Sequence, residues 1–219
     1  MRWSSGLENH ADLTAYWKFN DPDTDGGQFR QHLIAKDSSG KGNDLQLAVP
    51  PQRMDVEIKR DANALHTGRL EFKNNLALAK TTKGMPEKSF TVEFWARGQA
   101  LDKKGNAQDK FAQLFSYAAQ RTDNTKPGAD FVDDAIRIER YLEEFSEKLL
   151  GDQKTAGAIS VHINSNENTD SQRAQNWIDF DAGWTDDAWH HVAVTWDWED
   201  GTTKAYVDGV QKTAFWKSK

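Results

Sequence analysis

Apolar and polar residues alternate in short runs along most of this chain, and clusters of Gly, Asn, Asp and Pro separate the runs. Leu13–Phe19 (LTAYWKF) and Arg69–Phe72 (RLEF) alternate in this way, as do the segments AISVHIN and WIDFDAG. In SFTVEFWAR, Phe90, Val92, Phe94 and Ala96 fall on one face of a strand, with Thr91, Glu93, Trp95 and Arg97 on the other. Further on, WHHVAVTWDW precedes two alternating runs, Lys204–Val207 and Val210–Phe215, joined by Asp208-Gly209. Asp-Gly between alternating runs predicts a hairpin, because both residues tolerate the positive φ of a type I′ turn. Many short strands with turn signals between them predict an all-β, antiparallel two-sheet sandwich. One segment differs: IERYLEEFSEKLLGDQ places Ile138, Tyr141, Leu142, Phe145 and Leu149 at helical spacing, with Gly151 able to end the turn. It predicts one short helical insertion over about residues 138–151, packed on the sandwich edge.

Composition narrows the function. At 219 residues the chain is long enough for one sizeable core, and 37% of it is hydrophobic. The net charge of −6 argues against a nucleic-acid partner, since phosphates would go unneutralised. No apolar run approaches the ~20 residues of a membrane span. The start, MRWSSGLENH, lacks the apolar core of a signal peptide, so any export signal is expected to have been removed or never to have existed; residues 1–12 read as an N-terminal extension and 13–219 as one domain. Cysteine is absent, which suits an exported protein without disulfides and the cytosol alike. Nine tryptophans exceed what one core needs, and each buried indole N–H wants a partner, so some rings are expected at the surface.

The segments AYWKFND, KDSSGKGNDLQL, LEF, KSFTVEFWAR, LFSYA, WHHVAVTWD and GTTKAYVDGVQKTA stand in the order of the LamG-like jelly rolls. By these motifs, over about residues 13–216, the chain resembles that family of the concanavalin A-like lectin/glucanase superfamily. The resemblance implies a curved jelly-roll sandwich in a secreted or cell-surface protein, and a non-catalytic module that binds glycans or proteins. It departs in one respect: the closing strands expected after the Asp208-Gly209 hairpin are missing before the chain reaches FWKSK. A second chain or the N-terminal extension is therefore expected to cover the open sheet edge.

Carbohydrate recognition needs flat aromatic faces with polar neighbours. The candidates are Trp95 on the outer face of its strand, Trp184, Trp198 beside a turn, and Trp177, with Arg173 and Asn176 as hydrogen-bonding neighbours. Trp189 reads as core, together with Val192, Val194 and Trp196. The adjacent His190 and His191 must point to opposite faces, one structural and one at the surface. The stretch DPDTDGG has Asp21, Asp23 and Asp25 at calcium-loop spacing, but His32 occupies the twelfth position, which excludes an EF-hand. The stretch reads first as a solvated turn in which Asp and Gly serve the backbone; the resemblance leaves room for a structural calcium, which Asp21, Asp23 and Asp25 would hold with Asp37, Asn43 or Asp44. Catalysis is not expected. The nearest acid pair on a strand is Asp179 and Asp181, read as a solvated face, and His162 has no Tyr or Arg pattern assembled around it. A protein–protein adhesion module is the alternative to the lectin reading, with a glycoside hydrolase or polysaccharide lyase after it.

Overall fold

The computed structural model describes residues 10–18, 34–48, 56–60, 68–72, 76–79, 84, 86, 88–98, 111–120, 132–142, 157–164 and 175–217. They divide into two units, residues 1–87 and 88–219. All regular structure among them is β, and no described helix is long and apolar enough to cross a membrane.

In the first unit, β1 (Ile34–Ala35), β2 (Leu45–Ala48) and β5 (Leu76–Ala79) form an antiparallel sheet in the order β1-β2-β5. The strands β3 (Val56–Arg60) and β4 (Gly68–Phe72) form a separate antiparallel pair. The alternating run at Leu13–Phe19 makes only an isolated bridge, Trp17 to Asp37, within its described part. Its other hydrogen bonds are scattered: the amide of Tyr16 donates to the Asp37 carboxylate (2.9 Å), the Tyr16 carbonyl accepts the Ser38 amide (2.7 Å), and the Trp17 indole donates to the backbone carbonyl of Asn43 (2.7 Å).

The second unit carries β6 (Phe90–Arg97), β7 (Phe111–Gln120), β8 (Val132–Tyr141), β9 (Ile159–Asn164), β10 (Gln175–Phe180), β11 (Trp189–Asp197), β12 (Thr202–Val207), β13 (Val210–Gln211) and β14 (Ala214–Lys217). One antiparallel sheet runs β14-β10-β9-β8-β7 and the other β13-β12-β11-β6. Their facing sides share one core: Ile136, Ile138, Ile159, Val161, Ile178 and Phe180 from the first sheet meet Val192, Val194, Ala205 and Val207 from the second. Phe90, Val92, Phe94 and Ala96 pack against this core from β6, as their alternation predicts. Each fully buried aliphatic side chain contributes roughly 1.5–3 kcal/mol. The hairpin expected at Asp208-Gly209 is present, with φ of 53° and 77° at the two residues and Val207 opposite Val210.

The helix expected from residue 138 is corrected. Residues 138–141 belong to β8, and 143–151 lie outside the described residues. Ile136 and Ile138 are β-branched and two apart, so a strand buries both on one face while β7 and β9 saturate the backbone on either side. Beyond the hairpin, the chain returns as β14 and pairs with β10 at the end of the five-stranded sheet.

Candidate functional site

Alternation divides the four-stranded sheet into a core side and an outer side. On the outer side, β6 presents Thr91, Glu93, Trp95 and Arg97; β11 presents Trp189, His191, Ala193 and Thr195; β12 presents Lys204 and Tyr206. Register places Trp95 directly opposite His191 and Trp189 opposite Arg97. The two indoles are therefore diagonal neighbours on adjacent strands, within reach of one ligand. Trp95 is 49% exposed and Trp189 43%. The imidazole of His191 leans on the Trp95 ring at a centroid distance of 5.3 Å and 54°, with its Nε2 3.8 Å from a Glu93 carboxylate oxygen. At the other end of the strip, the Arg97 Nε donates to the Asp187 carbonyl (2.7 Å), and its guanidinium lies 3.5 Å from the Asp187 carboxylate.

Behind this strip, His190 shares a face with Val192 and Val194 and is held at both ring nitrogens. Its Nδ1 lies 2.7 Å from Asp208 Oδ2 and its Nε2 2.9 Å from Asp186 Oδ1. Burial works against the charged ring, but the bonds to Asp186 and Asp208 outweigh it and raise the pKa of His190 above the ordinary histidine value. Asp208 also accepts the His191 amide (3.0 Å), so the Asp-Gly turn is a ligand for the His-His pair as well as a reversal of the chain. The loop carrying Asp186 is anchored from below. Arg140 donates through Nε (3.1 Å) and a terminal nitrogen (2.9 Å) to the Trp184 carbonyl, and its guanidinium lies 4.3 Å from the centre of the Trp184 ring. Gly98 leaves the room: a Cβ there would sit 2.3 Å from the Arg140 guanidinium.

The five-stranded sheet turns a second polar set away from the core. Register aligns Glu139, Ser160 and Asp179 in one row across β8, β9 and β10, and Arg137, His162 and Trp177 in the next. Asp179 is fully buried and accepts from the Trp177 indole (2.7 Å) and the Tyr141 hydroxyl (3.4 Å). Desolvation pushes its carboxyl above the usual range despite these donors, and burial beside Asp179 pushes the Tyr141 phenol up as well. His162 stacks on Trp177 at 4.8 Å. Its Nδ1 faces an Arg137 nitrogen at 3.3 Å, while its Nε2 faces Ser160 Oγ (3.1 Å) and Glu139 (3.3 Å). Because a guanidinium only donates, Nδ1 must accept and Nε2 carries the proton. A histidine in that tautomer cannot take a proton from Ser160, so the Ser–His pair does not activate a nucleophile.

The expected site residues separate accordingly. Trp95 is at the strip, and Trp198, 57% exposed, follows the far end of β11, where its amide donates to Ser89 (3.0 Å), away from Trp95. Trp177 is half-buried in the second polar set. Trp184 is corrected: at 1% exposed it is core and offers no platform. Trp189 is corrected the other way, because positions 189 and 192 differ by an odd number and cannot share a strand face. Asp179 is likewise not on a solvated face; only Asp181 is exposed. His162 does have an arginine beside it, Arg137 from β8. Arg173, Asp21, Asp23 and Asp25 lie outside the described residues, and Asn176 is placed by its backbone alone, opposite Ile163.

Asp37 does not fit a calcium ligand. One carboxylate oxygen accepts the amides of Tyr16 and Ser39 (2.9 Å each), and the other accepts the Ser39 hydroxyl (2.8 Å) and the Asn43 amide (2.9 Å). Burial opposes ionisation, but these donors hold the carboxyl below its usual range. The Asn43 side chain in turn donates to the Thr14 carbonyl (2.9 Å). A cation would have to displace bonds that define this turn.

A family model described as the concanavalin A-like lectin/glucanases superfamily (Laminin_G_3) matches residues 71–215. The chain belongs to this family, as its motifs and its two-sheet architecture both indicate. No curated protein and no solved structure matches it.

Proposed function

We propose that the chain is a non-catalytic carbohydrate-binding module of a secreted or cell-surface protein, and that Trp95 and Trp189 form its platform. The observation that carries this reading is the pair of exposed indoles at diagonal register positions on one sheet face. Two flat apolar rings suit the apolar faces of sugar rings. His191, Glu93 and Arg97 around them supply donors and acceptors for hydroxyls. A carboxylate at one end and a guanidinium already paired with Asp187 at the other favour a neutral glycan over a polyanion. The second polar set supports the non-catalytic part, since Asp179 and Ser160 are fully buried and bonded to neighbouring side chains.

The test is a glycan array followed by titration of whatever it retains. Trp95→Ala and Trp189→Ala are each expected to weaken binding at least tenfold, a loss of about 1.4 kcal/mol or more, as for aromatic anchors elsewhere. Trp198→Ala, at the far end of the sheet, is expected to leave affinity unchanged. Folded Trp95 and Trp189 variants that bind like the wild type would defeat the platform. An array that retains nothing would defeat the glycan reading.

A further inference from the structure

We infer that His190 is a proton-operated clasp for this platform: its imidazolium ties Asp186 to Asp208, and the adjacent Asp187 thereby holds Arg97 beside Trp189. The inference rests on the glycan-binding reading and adds its regulation.

The argument starts from the two short contacts. A neutral imidazole has one N–H and one lone pair, so it can satisfy only one of two carboxylates. With Asp208 at 2.7 Å and Asp186 at 2.9 Å, both contacts are attractive only when both ring nitrogens are protonated. Loss of the proton sets a lone pair against a carboxylate, and one arm must open. Asp208 is the fixed arm: its second oxygen holds the His191 amide, and its backbone is locked in a two-residue turn. Asp186 is the arm that yields. Its side chain is largely exposed, and that carboxylate's remaining bond is to the amide of Ala188 in its own loop, while its carbonyl accepts from Arg140 (3.3 Å).

What yields with it reaches the platform. Asp187 is the next residue, and it holds Arg97 through both its carbonyl and its carboxylate. Arg97 lies opposite Trp189, which directly precedes His190 in β11. Trp189 is thus next in sequence to the histidine of the clasp, and Arg97 is bonded to the residue that follows Asp186.

Among the described residues, other charges act on the two carboxylates of the clasp. Arg140, below Trp184, acts on Asp186, and Lys212 acts on Asp208. The Trp184 ring lies 5.3 Å from the imidazole, and β6 places the uncharged Ala96 opposite His190. The two cations oppose the imidazolium only indirectly, by drawing on its carboxylate partners. The raised pKa of His190 shows that the carboxylates prevail. The clasp is therefore closed at low pH and opens as pH rises through the folded-state value.

An NMR titration of the whole chain tests this, following the His190 ring protons, the Trp189 indole N–H and the Arg97 Nε–H. The expected midpoint for His190 lies above that of the same residue in the urea-unfolded chain, and the Trp189 and Arg97 signals move with it. Asp186→Asn, at an exposed side chain, is expected to lower the midpoint and remove the linked movement. Array signals read at about pH 5.5 and about pH 8.5, either side of ordinary histidine titration, are expected to fall severalfold in the wild type and to stay level in Asp186→Asn. Trp189 and Arg97 signals that stay flat while His190 titrates would overturn the clasp. Linked movement with no glycan bound at either pH would uphold the clasp and sink the glycan reading instead.

Discussion

Trp184→Ala is expected to destabilise the second unit by about 3–5 kcal/mol, the range for truncating a buried large aromatic side chain. At 1% exposed, the indole has nowhere to go but the core it already fills with Ile159, Phe180 and Ala182. Its loss leaves a cavity and strips one face from the Arg140 guanidinium, whose pKa burial has already lowered to about 10. The ring of His190 loses a neighbour as well. The backbone around Trp184 gives the cavity little chance to collapse. Its amide donates to the Gly157 carbonyl (3.1 Å), and Gly157, at a φ of 77°, approaches so closely that a Cβ would lie 2.4 Å from the Trp184 carbonyl oxygen. Trp184→Phe separates volume from polarity. The Trp184 indole nitrogen is buried with no hydrogen-bond partner among the described residues, so phenylalanine removes an unsatisfied N–H while keeping most of the volume. It is expected to cost less than half as much as alanine. Urea denaturation of the three proteins measures both differences. A Trp184→Ala midpoint matching the wild type, combined with loss of glycan binding, would move this residue back to the ligand.

The contrast between Trp184 and Trp189 shows what alternation reveals and what it misses. The strands at Phe90–Arg97 and Trp189–Val207 could be read directly, because each has one buried side and its turn residues stand at the ends. Trp184 lies between strands, where no period applies. Its burial comes from Arg140 and Gly157, which are distant in sequence. Trp189 was misplaced by counting apolar residues without their parity. Reading every second position would have put it on the face of His191 and Trp95 from the start.

The segment from Ile138 to Tyr141 failed for another reason. Its apolar residues also fit a helix when Leu142, Phe145 and Leu149 are included, and two templates then match one sequence. Only pairing with β7 and β9 decides between them, and no local signal reports it. The same error hid part of the second polar set, since Glu139 and Tyr141 reach His162 and Asp179 only if residues 138–141 are a strand. The bond between His190 and Asp208 was equally out of sight, although both motifs that supply it were plain in the sequence.

Asp179→Ala is expected to cost about 1–3 kcal/mol for each buried donor it strands, with the Trp177 indole the first of them. Asp179→Asn keeps an acceptor oxygen for that indole and removes the charge, so it is expected to be neutral or stabilising at neutral pH. The sign follows from the raised carboxyl. Between the unfolded aspartate value, about 3.9, and the higher folded value, the native chain binds more proton than the unfolded chain. Stability therefore falls as pH climbs through that window and stays reduced above it. Asp37, Asp44, Asp186 and Asp208 have lowered values and act in the opposite sense, losing stability as pH falls below the usual carboxylate range. Subtracting the Asn variant's pH–stability curve from the wild type's cancels those four and leaves Asp179. The difference is expected to favour the variant at neutral pH and to shrink on acidification through the window. An asparagine variant as unstable as alanine, with a difference that grows at neutral pH, would mean that the carboxylate is held ionised by its donors and contributes to the fold as an anion.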